Sequence, residues 1–277
     1  MLIIPQQCTV AVFVSIIDLF IPLDGLHFIG VVWVATLVLT LVARRQTHTI
    51  DIHHVSLSSH KITQPYRFVQ LSDVHVGSNS KYDLEIVVDH VLKLDPDFVV
   101  ITGDLVDEDH VQPEDLLALD EISVPMYFVS GNHEYYIETA EFRKSLAYTS
   151  VQDIEDKKVT FEEIDIIGVD ETSDVKKIVQ EIGVNSDRYT MLLYHEPKTT
   201  FARDAAAAGT DLMLSGHTHN GQIWPFTYLV QARFPYIAGL YDVGNMQLFV
   251  SQGTQTWGPK MRLGTRNEII LFELQQK

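Results

Sequence analysis

The chain has a single cysteine, Cys8, in 277 residues. An intrachain disulfide is therefore excluded, and so is a metal site built from several thiolates. Any metal must be held by His, Asp, Glu or Asn. Basic residues are scarce as well: 20 Lys and Arg stand against 37 Asp and Glu, a formal net charge of −17. Coating a nucleic acid needs clustered Lys and Arg to neutralise phosphates, so nucleic acid is not an expected partner. A local site could still bind an anion. Low-complexity tracts, solenoid-type repeats and long linkers are missing too, which points to one folded unit over most of the chain.

Charge is scarcest at the N-terminus. Residues 1–43 contain no Lys or Arg, and their only acids are Asp18 and Asp24. Residues 26–43, LHFIGVVWVATLVLTLVA, form an uncharged run that ends at Arg44-Arg45. That run approaches the ~20 residues a spanning helix needs. CTVAVFVSIIDLFI, residues 8–21, is shorter and interrupted by Asp18; it could form a second span, with PLDG at 22–25 as a tight connection. The alternative is a cleaved secretory signal. A signal carries its positive charge ahead of its apolar core, whereas here the charge follows. The expectation is a membrane anchor over residues 1–45, of one or two transmembrane helices, and a folded domain over residues 46–277. The arginine pair puts that domain on the cytoplasmic side of the cell membrane by the positive-inside rule.

From residue 47, THTIDIHHVSLSSHK alternates apolar and polar and reads as a strand. His48, His53, His54 and His60 are read as its exposed face and linker. Five short apolar runs follow, each passing into a ligand-type residue: RFVQLSDVH, DFVVITGD, MYFVSGNHE, TMLLYHEP and LMLSGHTH. Such runs, separated by helical stretches, predict strands of an α/β sheet. Helices are expected at 84–94, 113–122 and 201–209, and further strands at 161–171, 245–253 and 267–275.

In an open α/β sheet, functional groups gather beyond the carboxyl ends of the strands. Asp73 and His75, two apart on an extended segment, should project to the same side. Asp104 follows Gly103, Asn132 and His133 follow Gly131, His195 follows Tyr194, and His217 and His219 follow Gly216. The glycines at 103, 131, 216 and 221 are read as serving backbone geometry. Each polar residue alone could be a turn residue or a helix cap. Seven in this order suggest carboxylate, amide and imidazole ligands converging on one rim. That donor set suits two divalent ions such as Mn, Fe, Zn, Ni or Mg. A bridging carboxylate such as Asp104 would neutralise charge between them. A dimetal pair can clamp a phosphoryl group and lower the pKa of a shared water to give hydroxide.

The ordered set SDVH, GDLVD, GNHE, YHEP and GHTH resembles the calcineurin-like metallophosphoesterases over residues 66–277. GHTHNGQIWP and WGPKMRLG are similar to a membrane-associated bacterial branch, which includes phosphodiesterases and enzymes similar to UDP-2,3-diacylglucosamine hydrolases. The resemblance implies a four-layer α/β/β/α sandwich with mixed sheets. It implies hydrolysis of a phosphodiester or pyrophosphate by a metal-bridging hydroxide, and a bilayer close to the domain points to a lipid- or nucleotide-linked phosphate as substrate. Asp73, His75 and His219 would hold one metal, Asn132, His195 and His217 the other, and Asp104 both. His133 would be catalytic, steadying charge on the phosphate and protonating the leaving oxygen. Asp107 and Glu134 would orient imidazoles. Asn220 stands where the branch often has glycine. Trp257 and Arg262 are candidates at the substrate, Arg262 as an anion contact. Two other readings stay open: a non-enzymatic membrane-tethered scaffold on the same fold, and a nuclease of the same superfamily.

Overall fold

The computed structural model describes residues 24–109, 111–137 and 139–277, together with residues 11 and 15. Apart from those two positions, the suggested first span at 8–21 lies outside the described residues. The apolar run at 26–43 forms helix α1, Gly25–Gln46. Asp24 caps it by accepting from the amides of Leu26 and His27, and Arg44 and Arg45 complement the carbonyl end of its dipole. Its most apolar stretch has a mean hydropathy of 2.3, so it is long and apolar enough to cross a membrane.

Two six-stranded mixed sheets follow. The first contains β1 (Ile50–Ser59), β2 (Tyr66–Leu71), β3 (Phe98–Thr102), β4 (Met126–Val129), β5 (Val151–Asp153) and β12 (Asn267–Gln276), in the order β1-β12-β2-β3-β4-β5. Strands β2 to β5 are parallel to one another, and β12 runs antiparallel to β2. The second contains β6 (Lys157–Phe161), β7 (Ile164–Gly168), β8 (Tyr189–Leu193), β9 (Leu212–Ser215), β10 (Gly239–Val243) and β11 (Met246–Val250), in the order β10-β11-β9-β8-β7-β6. Here β7, β8, β9 and β11 are parallel, and the edge strands β6 and β10 are antiparallel.

Side-chain alternation builds the layers. Along β3, Phe98 and Val100 enter the core between the sheets, whereas Val99 and Ile101 face the helices. In the central core Phe68 stacks on Phe98 and Phe272, with ring centroids 5.0 and 4.7 Å apart. Ile166, Met191 and Leu193 meet these rings from the second sheet. Helices α2 (Lys81–Leu94), α3 (Pro113–Leu116) and α4 (Thr139–Ala147) cover the first sheet. Helices α5 (Val175–Ile182) and α6 (Thr199–Ala208) cover the second. The result is the α/β/β/α sandwich implied by the resemblance. One expected helix differs: 113–122 is α-helical only to Leu116 and tightens into a 3₁₀ segment at Leu117–Glu121. The four histidines at 48, 53, 54 and 60 are exposed. A last helix, α7 (Phe226–Arg233), lies between β9 and β10 in the chain.

Candidate metal centre

The five motif loops leave the carboxyl ends of β2, β3 and β4 in one sheet and of β8 and β9 in the other. The site therefore sits across the rims of two stacked sheets. Asp73, His75, Asp104, His195 and His219 are buried, while Asn132, His133 and His217 are half-buried. Ligand atoms of Asp73, His75 and His219 lie within 4.8 Å of one another, as do those of Asp104, His195 and His217. Asn132 joins the second trio, its Oδ1 being 2.7 Å from His217 Nδ1. Asp104 Oδ2 stands 3.1 Å from His195 Nε2 and 3.9 Å from His75 Nε2, between the two trios.

The backbone delivers these groups by a route the sequence reading did not anticipate. Asp73 and His75 are not on an extended segment. Both are left-handed (φ 54° and 52°), as are Asp104 (52°), His217 (71°) and His219 (47°). Each such non-glycine residue costs free energy and persists only where its surroundings hold it. Asp73 N bonds the carbonyl of Gly103, and His75 N that of Asp104. The glycines divide in their roles. Gly103 and Gly221 serve both conformation and space: they are left-handed, and a Cβ would fall 2.5 Å from His195 Nδ1 at the first and 2.5 Å from Thr227 Cα at the second. Gly131 and Gly216 serve space, since a Cβ would fall 2.2 Å from Asp104 Oδ1 at the first and 1.9 Å from Ser72 Oγ at the second. Asn220 is left-handed (φ 51°), a conformation asparagine tolerates well.

The donor set fits a divalent cation. His195 Nδ1 faces the carbonyl of Thr102 at 2.7 Å, so that nitrogen carries the proton and Nε2 turns a lone pair toward Asp104. Buried His195 Nε2 has no hydrogen-bond partner. His75 Nε2 and His219 Nε2 approach to 3.1 Å, with Asp73 Oδ1 3.3 Å from His219 Nε2. Electron-rich atoms converging in this way need a positive charge among them. Without a metal, protons supply it. Burial alone would lower the His195 pKa, but the Asp104 carboxylate overrides it and holds the imidazole well above its usual range. Burial and the charge on His195 depress His217 to about 4, and burial with the charge on His75 pushes His219 well down. Burial raises Asp73. Burial would raise Asp104 too, but His195, His75 and His133 pull it below the ordinary carboxylate range.

The supporting groups have distinct tasks. Asp107 Oδ2 lies 3.3 Å from His75 Nδ1 and also accepts from the Ser78 hydroxyl. Glu134 does something else. Its carboxylate accepts from the backbone amides of Asp104, Leu105, Val106 and Gly131 at 2.6–3.1 Å, so it pins the loop after β3 to the loop after β4. Burial and the Asp104 charge push it up to about 8, against the pull of those amides. Arg262 does not line the cleft over the centre. Its side chain is fully buried; it donates to the carbonyls of Gln252 and Gln255 at 2.7 Å and lies 3.5 Å from His219 Nδ1. Its charge helps keep His219 neutral.

A cleft of about 370 Å³ opens over the centre, lined by Asp104, Asn132, His133, His217 and His219. His133 N donates to Asp104 Oδ1 at 2.9 Å. Its ring meets Tyr136 and Trp257 at centroid distances of 5.3 and 5.7 Å. Phe226, Val230 and Phe234 form an apolar wall. Those three and Tyr136 were missed in the sequence. Their signal is ordinary apolar content, which core and cleft share.

The Calcineurin-like phosphoesterase family model matches residues 66–221, more than half of the chain. An uncharacterized metallophosphoesterase of Campylobacter jejuni is 32% identical over 247 residues, covering 83% of this chain and 64% of its own length. A transmembrane protein with metallophosphoesterase domain from Bos taurus is 32% identical over 256 residues, covering 83% of this chain and 56% of its own. The likeness thus extends beyond bacteria, and the chain spans less than two thirds of either relative. Among solved structures, TT1561 of Thermus thermophilus aligns with a TM-score of 0.49 at 14% identity, over 69% of this chain and 92% of that one. Motif order, site geometry and family match agree: the chain belongs to the calcineurin-like phosphoesterase family.

Proposed function

We propose that this chain is a membrane-anchored phosphoesterase using two divalent ions to hydrolyse a phosphodiester or pyrophosphate bond in a lipid- or nucleotide-linked substrate. The observation that carries the reading is the pair of ligand trios, Asp73/His75/His219 and Asp104/His195/His217, beneath one cleft. The first trio would hold one ion. The second, with Asn132, would hold the other, and Asp104 would serve both. When bound, such ions polarise a phosphoryl group and make water nucleophilic at neutral pH.

The rest of the chemistry belongs to side chains. Burial lowers the His133 pKa, so its imidazole is neutral at pH 7 and can donate one hydrogen bond into the cleft. That donor would steady charge on the phosphate and on the leaving oxygen; protonating that oxygen would require the imidazolium, formed when the ring takes up a proton from water before the bond breaks. Asp107 holds His75 in place, and Glu134 holds the two loops that carry Asp104 and Asn132. Tyr136, Trp257 and the Phe226–Val230–Phe234 wall would exclude water from one side and receive an apolar or planar leaving group. Residues 1–45 would anchor the domain of residues 46–277, with Arg44 and Arg45 on the cytoplasmic side.

The purified chain with Mn²⁺ is expected to cleave bis(p-nitrophenyl) phosphate. Asp104→Ala should lose bound metal and rate together, whereas His133→Gln should lose rate and keep metal. Folded protein with no turnover in Mn, Ni, Co, Fe or Zn overturns the reading.

A further inference from the structure

Helix α7, FTYLVQAR, is largely apolar on both flanks, yet none of its residues is buried. Its inner flank, Phe226 and Val230, continues to Phe234 and lines the cleft. Its outer flank presents Tyr228 and Leu229, which are 64% and 66% exposed, and Trp224 just before the helix is 39% exposed. The helix also carries Thr227, Gln231 and Arg233, but a surface helix ordinarily turns large apolar residues such as Tyr228 and Leu229 inward.

Its place in the fold names the missing cover. Ile223, three residues before α7, packs with Met261 and Leu263 against Ala43 in the last turns of α1. Arg262 N donates to the carbonyl of Ala43 at 2.9 Å, and Asn267 Nδ2 to that of Thr47 at 3.1 Å. The foot of α1 is therefore fastened to the segment from which α7 starts. If the apolar part of α1 fills the bilayer, Arg44 and Arg45 stand at the headgroups, and the surface around them shares that level. Tryptophan and tyrosine favour that level.

We propose that the face bearing Trp224 and the outer flank of α7 rests on the lipid bilayer, with Trp224, Tyr228 and Leu229 at the boundary between headgroups and acyl chains. This rests on the reading of α1 as a spanning helix. Because α7 is also a wall of the cleft, the mouth of the cleft then opens at the membrane surface, where a lipid-borne phosphate would be met.

Trp33, Trp224 and Trp257 are the three tryptophans of the chain, so single-tryptophan forms are accessible. The full chain is reconstituted in phosphatidylcholine–phosphatidylglycerol bilayers with acyl chains brominated either near the headgroup or near the chain end. Trp33→Phe with Trp257→Phe leaves Trp224, whose fluorescence should be quenched more by shallow bromine than by deep. Trp224→Phe with Trp257→Phe leaves Trp33, which should be quenched more by deep bromine. Adding Tyr228→Asp and Leu229→Asp, both at exposed positions, should abolish quenching of Trp224. Quenched Trp33 with unquenched Trp224, or Trp224 quenching that survives the aspartates, overturns the surface contact and leaves the anchor standing. If Trp33 is unquenched as well, the anchor reading itself has failed.

Discussion

Alanine at Gly216 is the most direct probe of how the centre is built. A Cβ there falls 1.9 Å from Ser72 Oγ and 2.3 Å from Asp73 Oδ2, where ordinary contact begins near 3.4 Å. Ser72 and Asp73 are both fully buried. The backbone cannot retreat, because Gly216 N donates to the carbonyl of His195 at 2.9 Å. The carboxylate of Asp73 must then move by about 1 Å, the gap between that contact and an ordinary one. Moving it breaks the 2.6 Å bond from Ser72 Oγ and the 3.1 Å bonds from His217 N. Two hydrogen bonds to a charged group are worth about 3–6 kcal/mol, and overpacking adds about 1–3 kcal/mol. Partial relaxation should still leave a loss of at least ~3 kcal/mol, or roughly 6–12 °C in Tm for a domain of this size. Calorimetry gives the melting point, and elemental analysis the bound metal. Ser72→Gly added to Gly216→Ala relieves the shorter contact alone. It should restore part of the Tm without restoring metal, because Asp73 stays displaced. A Gly216→Ala protein that melts and binds metal like the parent would refute the reasoning.

Other outcomes follow from the same geometry. Glu134→Gln turns an amide NH₂ toward two of four backbone donors; at pH 9, above the raised value of about 8, calorimetry should show a loss of about 2–6 kcal/mol. An intact Tm with weakened metal binding would instead mean that Glu134 orients an imidazole. Arg262→Met leaves the carbonyls of Gln252 and Gln255 without their buried donor, and chemical denaturation should show a loss of about 2–6 kcal/mol. A raised KM at unchanged stability would return Arg262 to the substrate. The folded pKa of His217 is depressed to about 4 from an ordinary ~6.5. In metal-free protein its contribution is present above pH ~6.5 and lost as pH falls through 4. The stability difference between the parent and His217→Gln should therefore shrink over that window, as read from urea midpoints at successive pH values. A difference independent of pH would exclude the effect.

The sequence by itself determined the donor types, their order and the family. An apolar strand followed by Asp, Asn or His is a local pattern, and five such patterns in order survive any detail of packing. It also marked α1, because a long uncharged run is legible without partners. Only the tertiary structure decided what depends on residues far apart in the chain. Arg262 reads as a surface cation near a cleft until β12 and the loop at Gln252–Gln255 close around it. Glu134 reads as a partner for histidine until the turn after β3 brings three amides to it, beside that of Gly131 in its own loop. Gly131 and Gly216 read as serving backbone geometry, but the neighbours that demand their missing Cβ come from the loops after β2 and β3. The left-handed backbone at Asp73, His75 and Asp104 is likewise invisible locally, since side chains there oppose it and only the surrounding hydrogen bonds impose it. The two-rim site follows from the stacking of two sheets over Phe68, Phe98 and Phe272, which no single motif encodes.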